Sequence, residues 1–417
     1  MIQLIKDVSD IKMVTEILSF YTPYTDVDRM KKALTRVLQD EITAMEQTSQ
    51  GFYLKLRGEE YLEIPFVTVD MDPKMFQTQI QKLYVSSAKL PCHDPFIKQN
   101  LLYQIALFRA AYVLTFNYEP NHRNEKILPL MEIADTMDAL IFWETGDISD
   151  SYGDIILNKQ GKCEITVFNP VDGFDITNKA LGLSESQMKR IHHSLSVLRY
   201  KGIYAPTNIA PPFDEETYVY QEKEEVAKRA IACMLLGVYT NYLLSHQGNS
   251  MAAYENVENM IRLYQASPYF TIKEIEYLND RMPKQEDVVM YQGYCECAYT
   301  MLWALGIAKS LYFPSAACDN GMVVKSILAY DTTESLAARA KLRSKSELLD
   351  ALDLVQRYAW ACQDAAKLGF LMPAGLLYDV VRLRHYTLSW MISKQDTNWD
   401  DVKPVIQSLR LKLKRKS

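Results

Sequence analysis

The sequence predicts an α+β domain with a small mixed sheet, followed by an all-α helical domain. Three observations carry this expectation. Before residue 205, short apolar or alternating runs such as 52–56 and 111–116 lie between helical stretches. From Glu222 onward, apolar residues recur at three- and four-residue steps, with no strand-like alternation in competition. Between the two halves, 205–212 (APTNIAPP) and the acidic Asp214-Glu215-Glu216 form the best linker in the chain. The expected organisation is therefore 1–204 as the α+β domain, 205–221 as a Pro-rich, acidic linker and 222–417 as the helical domain.

Taken in order, 2–5 reads as a short strand and a helix follows from Asp10 to about residue 20. A second helix covers 26–45. The β-rich runs 52–56 and 61–69 flank a hairpin-like turn, Arg57-Gly58-Glu59-Glu60. Asp72-Pro73 opens a helix to residue 84, and another covers 95–109. A strand at 111–116, a helix at 124–138 and a strand at 139–143 come next. The runs 154–158 and 163–168 flank Lys159-Gln160-Gly161 and predict a hairpin. Ser184 and Gln187 form a capping box that opens a helix carrying His192 and His193. Adjacent helical residues point about 100° apart, so this pair suits a surface better than one metal ion.

In the second half, helices are expected near 222–247, 252–265, 271–281, 284–308, 319–329, 333–341, 344–368, 375–394 and 400–414. Thr271 with Glu274, and Ser344 with Glu347, have the capping-box pattern. Pro268, Pro283, Pro314 and Pro373 punctuate the connections, and Gly369 stops the longest helix.

Composition narrows the function. A formal net charge of −6 argues against a general nucleic-acid binder. The apolar run 230–244 contains Thr240 and Asn241 and is too short to span a bilayer, and Lys6 and Asp7 interrupt any signal-peptide core. Seven scattered cysteines form no disulfide framework and suit a reducing cytoplasm. Gly161-Lys162 lacks the rest of a phosphate loop. Cys295 and Cys297 would point about 200° apart on a helix, which suits small buried residues rather than zinc. The basic tail 410–416 reads as a solvated end. No cofactor, metal, nucleic acid or membrane is expected, and an unknown protein partner is left open.

Charges out of place mark the candidate site. In the helix at 344–368, Leu348, Leu352, Val355, Ala359, Cys362 and Ala366 fall on one apolar stripe. Asp350, Asp353, Arg357 and Asp364 share the opposite side, yet Trp360 projects among them, so this face is expected to be covered. Glu296 is the sole formal charge in GYCECAYTMLWALGI, with Trp303 on its face. Arg384 projects among Leu377, Val380, Leu388 and Met391, while its neighbour His385 lies in a polar sector. A buried Arg requires a carboxylate, and Glu296 and Asp353 are the candidates. The expected constellation is thus Glu296, Asp350, Asp353, Arg357, Arg384 and His385 between three helices, with Trp303, Trp360 and Trp390 as aromatic cover. A binding or structural module is one reading. The other is a hydrolytic or metal-dependent enzyme using Asp350, Asp353, Glu296 and His385. The neighbouring arginines would neutralise those carboxylates, which favours the module.

The ordered residues Glu296, then Leu302-Trp303-Ala304-Leu305-Gly306, Glu347 to Asp350, Asp353, Arg357-Tyr358-Ala359-Trp360, Arg384-His385, Trp390 and Trp399-Asp400 resemble the bacterial domain-of-unknown-function family 4272. The resemblance covers about residues 225–402 and implies a helical domain with no established activity. Ala359 stands where the family usually has His, Leu383 where it has Glu, and Lys403-Pro404 where an Asp-Thr pair is common. If those positions are catalytic in relatives, this chain lacks part of the set.

Overall fold

The first unit is organised around the strand Val14–Thr22 (β1), which pairs antiparallel with neighbours on both sides. The computed structural model describes residues 13–215, 221–393 and 397–409. The chain divides into two compact units, Met1–Phe174 with Arg199–Tyr204, and Asp175–Leu198 with Ala205–Ser417. The strand expected at 2–5, the basic tail and the end of the helix predicted at 400–414 lie outside the described residues.

In the first unit, β1 is followed by α1 (Val27–Val37), β2 (Ile42–Gln47), β3 (Gly51–Leu56) and β4 (Tyr61–Thr68). Helices α2 (Pro73–Lys89) and α3 (Pro95–Leu107) lead to β5 (Ala110–Tyr118). Then come α4 (Arg123–Thr136), β6 (Leu140–Trp143), β7 (Ile148–Ser149) and β8 (Ile155–Leu157). The sheet order is β2-β3-β4-β5-β1-β6-β7-β8, every pairing antiparallel. Strands β1 and β4 therefore run parallel with β5 between them, so β1-α1-β4 and β5-α4-β6 interlock as a split β-α-β arrangement. Alternate residues Leu18 and Phe20 of β1, and Tyr112 and Leu114 of β5, enter one core with Met30 and Leu34 of α1 and Ile133 of α4.

The α+β expectation holds, but the sheet is neither small nor mixed. Its eight strands recruit segments assigned to helices. Residues 14–22 (VTEILSFYT) are rich in β-branched and aromatic side chains, and pairing on both edges outweighs their weak helical period. The helix expected to reach residue 45 stops at Val37, and Ile42–Gln47 pairs with β3. The predicted partner of β8 at 163–168 is not a strand; β8 pairs with β7, and Glu164 gives Ile155 a single backbone bond of 2.7 Å.

The second unit packs around α6 (Lys223–Ser245), whose residues from Val226 to Leu236 are nearly all buried. Beside it lie α7 (Ser250–Leu263), α8 (Ile272–Asn279), α9 (Gln285–Gln292) and α10 (Tyr294–Ala304). They are followed by α11 (Asn320–Leu328), α12 (Thr333–Arg339), α13 (Lys345–Leu368) and α14 (Tyr378–Met391). Part of α5 (Glu185–Tyr200) also belongs here, with His192 and His193 exposed on it. The capping boxes at Thr271 and Ser344 form, and Gly369 ends α13 in the left-handed conformation.

Two helical expectations change. The helix expected over 284–308 breaks at Gly293, where an added Cβ would stand 2.4 Å from Leu383 Cδ1; the missing side chain lets α14 approach. Residues 402–409 are not helical, in keeping with Pro404, and Ser408 bridges to Ile209. No helix among the described residues is long and apolar enough to cross a membrane.

Candidate functional site

Every residue of α10 is buried, and Glu296 is 2% exposed. Arg384 on α14 meets it, Nε donating to Glu296 Oε1 at 2.7 Å. The other carboxylate oxygen accepts from the Cys318 backbone N–H at 2.8 Å. Arg384 also donates through Nη1 to the Tyr312 carbonyl and stands 5.8 Å from the Tyr299 ring centroid. One ion pair thus fastens α10 and α14 to the loop that precedes α11. A charged pair in such surroundings persists because both partners also hold neutral hydrogen bonds.

Asp353 and Arg357, one turn apart on α13, form a second pair, both fully buried. Arg357 donates from Nε to Oδ2 at 2.9 Å and from Nη2 to Oδ1 at 3.2 Å, the forked geometry of a bidentate pair. Its remaining donors reach the carbonyls of Pro206 at 3.2 Å and Ile209 at 3.1 Å. Gln356 adds bonds to Asp353 and to the Ala210 carbonyl. The polar face of α13 is covered at Asp353 and Arg357, where the cover is the 206–210 segment, while Asp350 and Asp364 stay partly exposed. Trp360 itself is half-buried.

The six residues expected to form one constellation do not all meet. No hydrogen bond or ion pair among the described residues joins Glu296–Arg384 to Asp353–Arg357. Asp350 faces a different cation, Arg190 of α5, at 2.8 Å. His385 is buried, no hydrogen bond to its ring is present among the described residues, and burial pushes its imidazole down to about 4. Trp303 stacks on the Arg343 guanidinium at 4.8 Å, and Trp390 meets Trp399 at 5.4 Å. Ala359 and Leu383, the two apolar departures from the family pattern, are both buried, Leu383 against Gly293.

Two buried cations escaped the sequence reading. Arg190 is held by Glu215 as well as Asp350. Arg229 on α6 pairs with Glu274, whose other oxygen accepts from the Thr271 N–H in the capping box. Arg229 also donates to the Tyr269 carbonyl at 3.1 Å and stands 4.8 Å from the Trp399 ring. The one signal was an Arg within the buried stretch of α6, masked by the charged first turns KEEVAKR. Arg229 lines a cleft of about 820 Å³ whose other walls include Glu222, Glu225, Tyr269, Phe270 and Trp399.

Fold and site define a class: a chain whose all-helical unit is stapled by buried arginine–carboxylate pairs. The chain belongs to the domain-of-unknown-function family 4272, whose family model matches residues 190–402, just over half its length. Neither the curated proteins nor the solved structures contain a match.

Proposed function

We propose that the chain is a binding module of the bacterial cytoplasm, with its interior charges serving to fix helix packing. The supporting observation is the fate of the carboxylates. Glu296, Asp353 and Glu274 are each taken up by an arginine, and their other oxygens receive backbone or side-chain donors. A carboxylate so held is a poor general base and a poor metal ligand, because the guanidinium already neutralises it. The cleft beside Arg229 is where polar and aromatic groups converge, which suits recognition of a partner. Seven free thiols fit a reducing compartment.

A thermal-shift series with Mg²⁺, Mn²⁺, Zn²⁺ and adenine and guanine nucleotides tests this reading. We expect no metal-dependent rise in Tm for the wild type. A rise that disappears in Asp353→Asn would overturn this reading in favour of a metal site at Asp353, with Glu296 and Asp350 held apart from it on Arg384 and Arg190.

A further inference from the structure

A groove of about 670 Å³ opens on the helical unit between α6, α7, α10 and α11, and it shares no residue with the cleft beside Arg229. Tyr264, at the end of α7, brings its hydroxyl within 3.0 Å of the Ile327 carbonyl and 2.9 Å of the Tyr330 carbonyl. These contacts tie the C-terminal ends of α7 and α11 together. Short of the tie, Asn256 of α7 and one stripe of α11 form the walls, and Val238 of α6 with Cys295 of α10 the floor.

Helix α11 carries two apolar stripes where one would hold it in place. Val323 and Ile327 are fully buried in the core. Val324 and Leu328, each one residue further on, line the groove instead, and Leu328 stays 44% exposed. Burial pushes the Cys295 thiol up to about 12, which keeps the floor uncharged. Lys325 is the one formal charge among the described residues of the lining. No carboxylate joins it there, although Asp and Glu outnumber Lys and Arg by 52 to 46 in the chain. No ion pair to Lys325 is present among the described residues. The amides of Asn256 and Asn320 also line the groove, and Asn320 Oδ1 accepts from the Cys318 thiol at 3.8 Å, leaving its N–H donors uncommitted.

We propose that this groove binds an anionic amphiphile, a medium-chain alkyl carboxylate, its tail along Val324 and Leu328 and its head at Lys325. The apolar length calls for a chain, and the single cation in an otherwise acid-rich chain calls for one negative charge. A volume of this size, apolar with a few polar groups, is what small-molecule sites present. The site goes beyond the partner reading above, since it lies apart from the Arg229 cleft.

Titration calorimetry of the full-length protein with decanoate, below its micelle concentration, tests the proposal. One saturable site per chain is expected, about tenfold tighter for decanoate than for octanoate because two more methylenes leave water. Lys325→Glu should weaken octanoate about tenfold, since an attraction becomes a repulsion, and leave octanol unchanged. Ala329→Trp, which puts an indole into the groove, should abolish binding of all three. A diazirine-bearing decanoic acid, photolysed on the wild type and mapped by peptides, should label 238–242 or 320–329. This map decides the matter even if a variant fails to fold. The proposal is overturned if decanoate does not saturate, if Lys325→Glu leaves octanoate binding intact, or if the label falls on the cleft residues 222–229 and 397–399.

Discussion

A single imidazole gives the residue scale its sharpest prediction. His385 has an ordinary value of 6.5 and is held at about 4 by burial. The folded state therefore takes up this proton later than the unfolded chain. The stability at stake is intact above pH 6.5 and is lost as the pH falls through 4, by roughly 3 kcal/mol. Urea unfolding at pH 7 and pH 4 should show His385→Asn losing less stability on acidification than the wild type. Equal losses would contradict the burial. At this scale the sequence was most readable where a charge stood alone: Glu296 in an apolar helix and Arg384 among aliphatic side chains each announced a need for a partner. Arg229 and Glu274 did not, because one followed a charged first turn and the other already had a role as a cap.

At the scale of elements, packing is set by small residues as much as by apolar stripes. Gly237 lets α6 touch the α10 backbone, and Gly293 lets α14 bring Leu383 and its neighbour Arg384 against α10. Gly237→Ala should force the helices apart and cost about 1–3 kcal/mol, despite the better helix propensity of alanine. A denaturation midpoint at or above the wild type would refute the close crossing. The helices were legible from their period and their capping boxes. The strands β1 and β2 were not, because short amphipathic runs fit either period and only pairing with distant partners decides between them. The break at Gly293 was hidden for a related reason, since both flanking segments are helical and the constraint comes from Leu383.

For the whole molecule, the expected linker 205–221 has a second character. Pro206, Ile209 and Ala210 supply carbonyls to Arg357 and Gln356, and Glu215 supplies a carboxylate to Arg190. A fragment beginning at residue 222 would lack all of these, whereas one beginning at 175 keeps them. The longer fragment should unfold cooperatively and the shorter should melt lower or bind a dye for exposed apolar surface. Indistinguishable melting would mean that the segment contributes nothing to the helical unit. Turn-forming residues such as Pro and Asn made this stretch look like a spacer, and nothing local in it signals that its carbonyls satisfy a buried guanidinium.

The claim on which the rest depends is that arginines neutralise the interior carboxylates for the sake of the fold. A double-mutant cycle on Glu296→Gln and Arg384→Met, read by urea denaturation of the full-length chain, measures it most directly. Either single change should cost about 3–5 kcal/mol because it strands the other charge, and the double variant should recover at least about 2 kcal/mol of the summed loss. Additive or negligible losses would contradict the account.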